Sequence, residues 1–144
     1  MARKSRRANI VQEKKEELHI STPIITKRQL ATAAYARLSV DKEKNEESIQ
    51  NQIELLHQYI KEHEEYSLID TYVDDGYTGT DFDRPEFIRL MDDVRTGKIQ
   101  CIIVKDLSRF GRNFIETGYY IETIFPCLNV RLISINDDFD SSRE

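Results

Sequence analysis

The sequence predicts an α/β domain in which a mainly parallel sheet of four to five strands is flanked by helices. Two observations carry this. Beyond about residue 30, short apolar runs alternate with amphipathic stripes of helical period, the order that generates βαβ units. The apolar runs also lack polar alternation, as expected of strands buried on both faces. A hydrophobic fraction of 39% in 144 residues is enough for one core.

The elements follow in order. Residues 31–38 (ATAAYARL) form the first buried strand. Ile49, Ile53, Leu56 and Ile60 make one stripe of a helix over residues 46–64. Residues 66–73 read as the second strand. Pro85 at a first-turn position, then Phe87, Leu90, Met91 and Val94, then Gly97, give a helix with both its start and its stop written in. Residues 101–104 (CIIV) are the third strand. Phe114, Gly118, Ile121 and Phe125 form the stripe of a further helix stopped at Pro126, and residues 130–135 (VRLISI) are the fourth strand.

Charge divides the chain. Residues 1–30 carry eight basic residues against three acidic ones, whereas residues 31–144 carry 13 against 23. Residues 1–29 therefore read as a basic, flexible arm and residues 30–144 as the folded domain. The net charge of −5 argues against a domain that grips a nucleic-acid backbone unaided. No apolar run approaches the roughly 20 residues of a membrane span and no secretory leader is evident, which points to a soluble cytoplasmic protein. Cys101 and Cys127 are too few for a disulfide framework or zinc site and read as reduced packing residues.

In a parallel sheet, ligands gather at the C-terminal strand ends. Three loops leave that edge here: residues 39–45, 74–84 and 105–113. The first strand ends in Arg37-Leu38-Ser39. Alternation puts Arg37 and Ser39 on one side, about 7 Å apart. An arginine in a buried run needs an anionic partner. The third loop, KDLSRFGRN, offers Lys105, Arg109 and Arg112 within two turns, a cluster suited to holding a phosphate. The second, DDGYTGTDFDR, ends with Arg84 at the mouth of a helix. One hydroxyl among four arginines is arranged for attack on phosphorus, because guanidiniums neutralise both a phosphodiester and the added charge of its transition state. His19, His57 and His63 lie away from this rim.

The runs YARLS (residues 35–39), SIQNQ (48–52), DDGYTG (74–79) with Arg84-Pro85, and DLSRFGRN (106–113) together resemble the catalytic domain of serine recombinases. The likeness is greatest to the large serine recombinases and transposon resolvases of Gram-positive mobile elements. The resemblance implies a site-specific DNA recombinase in which Ser39 attacks a phosphodiester to give a 5′-phosphoserine intermediate, followed by strand exchange and religation. It implies that Arg37, Arg84, Arg109 and Arg112 bind the scissile phosphate, with Gln52, Lys105 and Ser108 in support, and that neither metal nor cofactor is required. The implied partners are double-stranded recombination sites and further copies of the chain, as a homodimer and a synaptic homotetramer of the full-length protein.

There are departures. Ser108 stands where smaller resolvases commonly have aspartate, and Glu47 where they commonly have glutamine. The dimerisation helix and DNA-recognition domains of the family are expected beyond residue 140, so this chain reads as a fragment that binds DNA weakly, with its arginines loosely placed. The alternative reading is a catalytically inert resolvase-like assembly module. A phosphoacceptor receiver is disfavoured because the acidic pair follows the second strand, not the first.

Overall fold

The computed structural model describes residues 29–38, 48–76, 84–111 and 113–143. Residues 1–28 of the proposed arm lie outside the described residues, as do Ser39 and Arg112.

Five strands form one sheet in the order β2-β1-β3-β4-β5. β1 (Leu30–Leu38) lies between β2 (Tyr66–Asp75) and β3 (Cys101–Val104) and is parallel to both. β3 pairs in parallel with β4 (Arg131–Ser134), while β5 (Phe139–Asp140) returns antiparallel to β4. The chain moves outward from β1 to β2 on one side and then resumes at β3 on the other. The strand order thus reverses between β1 and β3, and a crevice opens at the carboxyl ends of such a pair. Arg37 sits at the end of β1 and the arginine-rich turn follows β3, so topology alone brings them together.

Helices cover both faces. α1 (Ile49–Glu62) starts at Ser48, whose hydroxyl accepts from Asn51 N, and buries Gln52, Leu56 and Ile60. Leu56 and Ile60 pack with Ala34, Ala36, Tyr66, Ile103 and Ile133. On the other face, α2 (Pro85–Arg95) buries Phe87, Leu90, Met91 and Val94 against Tyr35, Tyr72, Ile102 and Leu132. It opens on Pro85 as expected, and the chain leaves it through Gly97 at φ 82°. β1 is largely apolar because helices bury it from both sides, its residues from Thr32 to Leu38 all being buried, with Arg37 as the charged exception.

The fourth helical segment differs from its sequence reading. The chain does not stop at Pro126. It runs as α4 (Phe114–Tyr119), a π segment (Tyr120–Ile124) and α5 (Phe125–Leu128), ending at Asn129 in the left-handed conformation with φ 57°. Pro126 has no N–H to give to a carbonyl four residues back, and its ring would crowd that carbonyl. The wider π turn just before it, closed by Phe125 N donating to Tyr120 O, accommodates both problems. It also shifts the helical phase. Tyr120, Ile121, Ile124 and Phe125 face the core, whereas Phe114, expected in the buried stripe, is 93% exposed beside Ile115 and Tyr119. Cys101 is buried as expected, but Cys127 is exposed. Among the described residues no helix is long and apolar enough to cross a membrane, and no group of His, Cys, Asp and Glu could hold a metal ion.

Candidate active site

Three of the arginines expected to be loosely placed are instead built into the fold. Arg37 is fully buried, Arg84 is 1% exposed and Arg109 is 9% exposed. The piece that gathers them is the short helix α3 (Leu107–Phe110), on the turn after β3. The last carbonyls of a helix have no intrahelical donor and carry partial negative charge. Here guanidiniums fill that role. Arg37 donates from Nη2 to the Ser108 carbonyl (2.7 Å) and from Nε to the Arg109 carbonyl (3.1 Å). Arg84 donates from Nη2 to the Phe110 carbonyl (2.6 Å) and from Nη1 to the Arg109 carbonyl (3.5 Å). Arg109 in turn donates from Nη1 to the Arg37 carbonyl (3.5 Å). The sequence reading asked for an anionic partner to Arg37; backbone carbonyls take its Nε and Nη2. Dipoles of this kind orient a cation without cancelling its charge.

Gln52 is buried and closes a reciprocal pair with the same strand, accepting from Arg37 N (3.0 Å) and donating to Arg37 O (3.2 Å). It fixes the backbone from which Arg37 projects. Lys105 is half-buried, and its carbonyl accepts from Asn136 N (2.8 Å), tying the β3 loop to the turn before β5. Ser108 is exposed, and its hydroxyl donates to Asp106. The structure thus brings Arg37, Arg84, Arg109, Gln52 and Ser108 to one rim. Of the histidines, His57 meets Thr71 (2.7 Å) and His63 stacks on Tyr59, both along α1 and away from that rim.

Two residues that sequence reasoning did not single out complete the site. Asp74, at the end of β2, is 1% exposed and accepts from Tyr35 Oη (2.8 Å), Glu86 N (3.0 Å) and Phe87 N (2.9 Å). It caps α2 from across the sheet, at a helix whose own N-cap position is Arg84 with no side-chain cap bond. Burial, reinforced by the Asp74 carboxylate, pushes the Tyr35 hydroxyl above its ordinary pKa and keeps it a donor. The Arg84 guanidinium lies 4.9 Å from the Phe87 ring centroid and 5.6 Å from that of Tyr35. Asp74 therefore fixes the helix start on which Arg84 sits. The sequence signal was slight: Asp74 opens the acidic DDGYTG run directly after the second strand, eleven residues before Pro85.

The family whose description is "Resolvase, N terminal domain" matches residues 32–144. The chain belongs to the resolvase family of serine recombinases. Solved structures agree. The N-terminal catalytic domain of TP901-1 integrase shares 29% identity at a TM-score of 0.70, over 78% of this chain and 82% of that one. A resolvase family site-specific recombinase from Streptococcus pneumoniae shares 27% identity at a TM-score of 0.68, over 81% of this chain and 78% of that one. The C-terminal catalytic domain of ISC1926 TnpA, an IS607-like serine recombinase, is 22% identical at a TM-score of 0.62 over 74% and 70%, and speaks to the fold. No curated protein sequence matches the chain. Membership in this family places the serine that follows β1 and the arginines of the β3 turn in a domain of recombinase type.

Proposed function

We propose that this domain cuts and rejoins DNA through Ser39. The Ser39 hydroxyl gives up its proton as its oxygen attacks the scissile phosphorus, the P–O3′ bond breaks, and a 5′-phosphoseryl ester forms while one proton is delivered to the departing 3′ oxygen, leaving a hydroxyl. Religation reverses the step with a 3′-hydroxyl from the exchanged partner. One phosphoester replaces another, so bond energy is conserved and the step needs no external energy source. Arg37, Arg84, Arg109 and Arg112 neutralise the phosphate and its transition state, each such donor typically contributing about 3–4 kcal/mol to the barrier.

The observation that supports this reading best is the convergence of Arg37, Arg84 and Arg109 on the carbonyls of one short turn, at the end of the strand that runs directly into Ser39. The substrate is a pair of double-stranded recombination sites, reached in the cytoplasm by a dimer that pairs into a tetramer. The uncovered Phe114, Ile115 and Tyr119 give such a protomer an apolar face for its neighbours. Residues 1–29 act as a basic arm beside this domain.

The experiment uses the full-length gene product and duplexes spanning the ends of the genetic element that carries the gene. Wild-type protein is expected to form a covalent adduct on a 5′ end. Ser39→Ala is expected to bind the same duplexes with unchanged affinity and form none. An adduct persisting in that variant removes Ser39 as the nucleophile. An assembly module without chemistry yields no adduct from either protein.

A further inference from the structure

The α3 turn holds three arginines, yet it is four residues long and has too few internal hydrogen bonds to hold itself. Its geometry is imposed from outside, chiefly by Asp106. One oxygen of that carboxylate accepts from Arg109 N (3.2 Å), capping the turn, and also from the Ser108 hydroxyl. The other oxygen lies 3.8 Å from Arg109 Nε. The Asp106 carbonyl accepts from Arg109 N as well (3.0 Å). One carboxylate thus contacts the backbone and the guanidinium of the same arginine. The Ser108 hydroxyl, held on its first oxygen, fixes the rotamer that presents the second.

The far side of the turn is anchored separately. Leu107 N donates to Asp137 Oδ2 (2.8 Å), which also accepts from Ser134 Oγ (2.6 Å), and Gly111 N donates to Leu107 O (3.1 Å). Those contacts fix where the turn lies on the sheet. The direction of the Arg109 side chain is a separate matter, and both Asp106 and the Arg37 carbonyl bear on it. The ion pair is nearly enclosed, the Arg109 and Asp106 side chains being 11% and 24% exposed, so solvent screens it only in part.

We infer that Asp106 is a positioning residue for Arg109, acting through its charge as well as its cap, with Ser108 locking the carboxylate in place. This rests on the functional reading above, in which Arg109 meets the scissile phosphate. The carboxylate holds the guanidinium in line before DNA arrives, so the turn need not reorganise as charge develops on phosphorus. A carboxylate this close also tempers the positive potential of the rim. The consequence is a rate effect separable from affinity, because the many other phosphate contacts of a recombination site dominate binding.

Asparagine distinguishes the two roles of Asp106, since it caps a helix as well as aspartate does but carries no charge. The full-length protein is compared with Asp106→Asn, Asp106→Ala and Ser108→Ala variants on the same duplexes, reading adduct formation in a single turnover at saturating DNA, DNA affinity, and Tm. Asp106→Asn is expected to keep its Tm and affinity while adduct formation slows about 10- to 100-fold, the scale of misplacing one group that meets the reacting atoms. Asp106→Ala is expected to slow at least as far and to lose Tm as well. Ser108→Ala is expected to slow less than either. Wild-type rates in Asp106→Asn beside an active wild type overturn this inference alone, because a cap without a charge role is fully rescued by asparagine. A wild-type protein that forms no adduct at Ser39 overturns the functional reading and this inference with it.

Discussion

Asp74 offers the sharpest stability test of how the fold fixes the site. Its carboxylate takes one hydroxyl and two helix N–H groups in a position that is 1% exposed. Asp74→Ala leaves the Tyr35 hydroxyl buried without this acceptor, at a cost of about 1–3 kcal/mol. It also uncaps α2, at about 0.5–2 kcal/mol. Together the loss is about 2–5 kcal/mol, a large share of the roughly 5–15 kcal/mol typical of a domain. Tyr35→Phe alone removes a donor and leaves Asp74 its two N–H partners, so it is expected to cost about 1 kcal/mol. In the double variant no hydroxyl is orphaned, and the combined cost is expected to fall short of the sum by about 1–2 kcal/mol. Urea unfolding of the four proteins, followed by circular dichroism, measures that coupling. Additive costs, or a loss below about 1 kcal/mol for Asp74→Ala, would refute the cap assignment.

Further outcomes follow from other contacts. Gln52→Ala deprives Arg37 N and O of their reciprocal partner in a fully buried position and is expected to cost about 2–4 kcal/mol in the same unfolding assay. Burial pushes the Cys101 thiol up to about 12, so at pH 8 a disulfide reagent is expected to modify the exposed Cys127 promptly and Cys101 only on unfolding. Arg131 donates to both oxygens of Asp140 (2.9 and 2.5 Å) and holds its carboxyl below the usual carboxylate range. Because that pKa is depressed in the folded state, the stabilisation is complete above the unfolded value of about 4 and lost as pH falls further. The Tm gap between wild type and Asp140→Asn is therefore expected to be constant from about pH 6 to 8 and to close in acid, and a gap independent of pH would contradict this.

Much of this architecture could be read from residue patterns. The largely apolar run of β1 announced a buried strand, and Pro85 and Gly97 bracketed α2 because each acts through local backbone geometry. The arginines were legible as an exception to an acidic domain. What escaped were effects that act across the sheet or through phase. Asp74 looked like one more acid in an acidic loop, since its cap role depends on β2 ending beside the start of α2. The loosely placed arginines of the sequence reading neglected the carbonyls at the end of α3, which local pattern does not display. The exposed Phe114 was assigned to the core because a constant helical period was carried through to Pro126, and the π segment breaks that period. Ser39 and Arg112, the proposed nucleophile and one of the proposed phosphate contacts, lie outside the described residues.

The central claim is that Ser39, directly after β1, carries the DNA. The direct measurement is to trap the adduct on site DNA, degrade the DNA to its terminal nucleotides, digest with trypsin, and locate the added mass by fragmentation. The account predicts a nucleotide joined through its 5′ phosphate to Ser39 in the peptide spanning residues 38–42, LSVDK, with a free 3′-hydroxyl on the other DNA end. A nucleotide on any other residue, or a link through a 3′ phosphate, would contradict it.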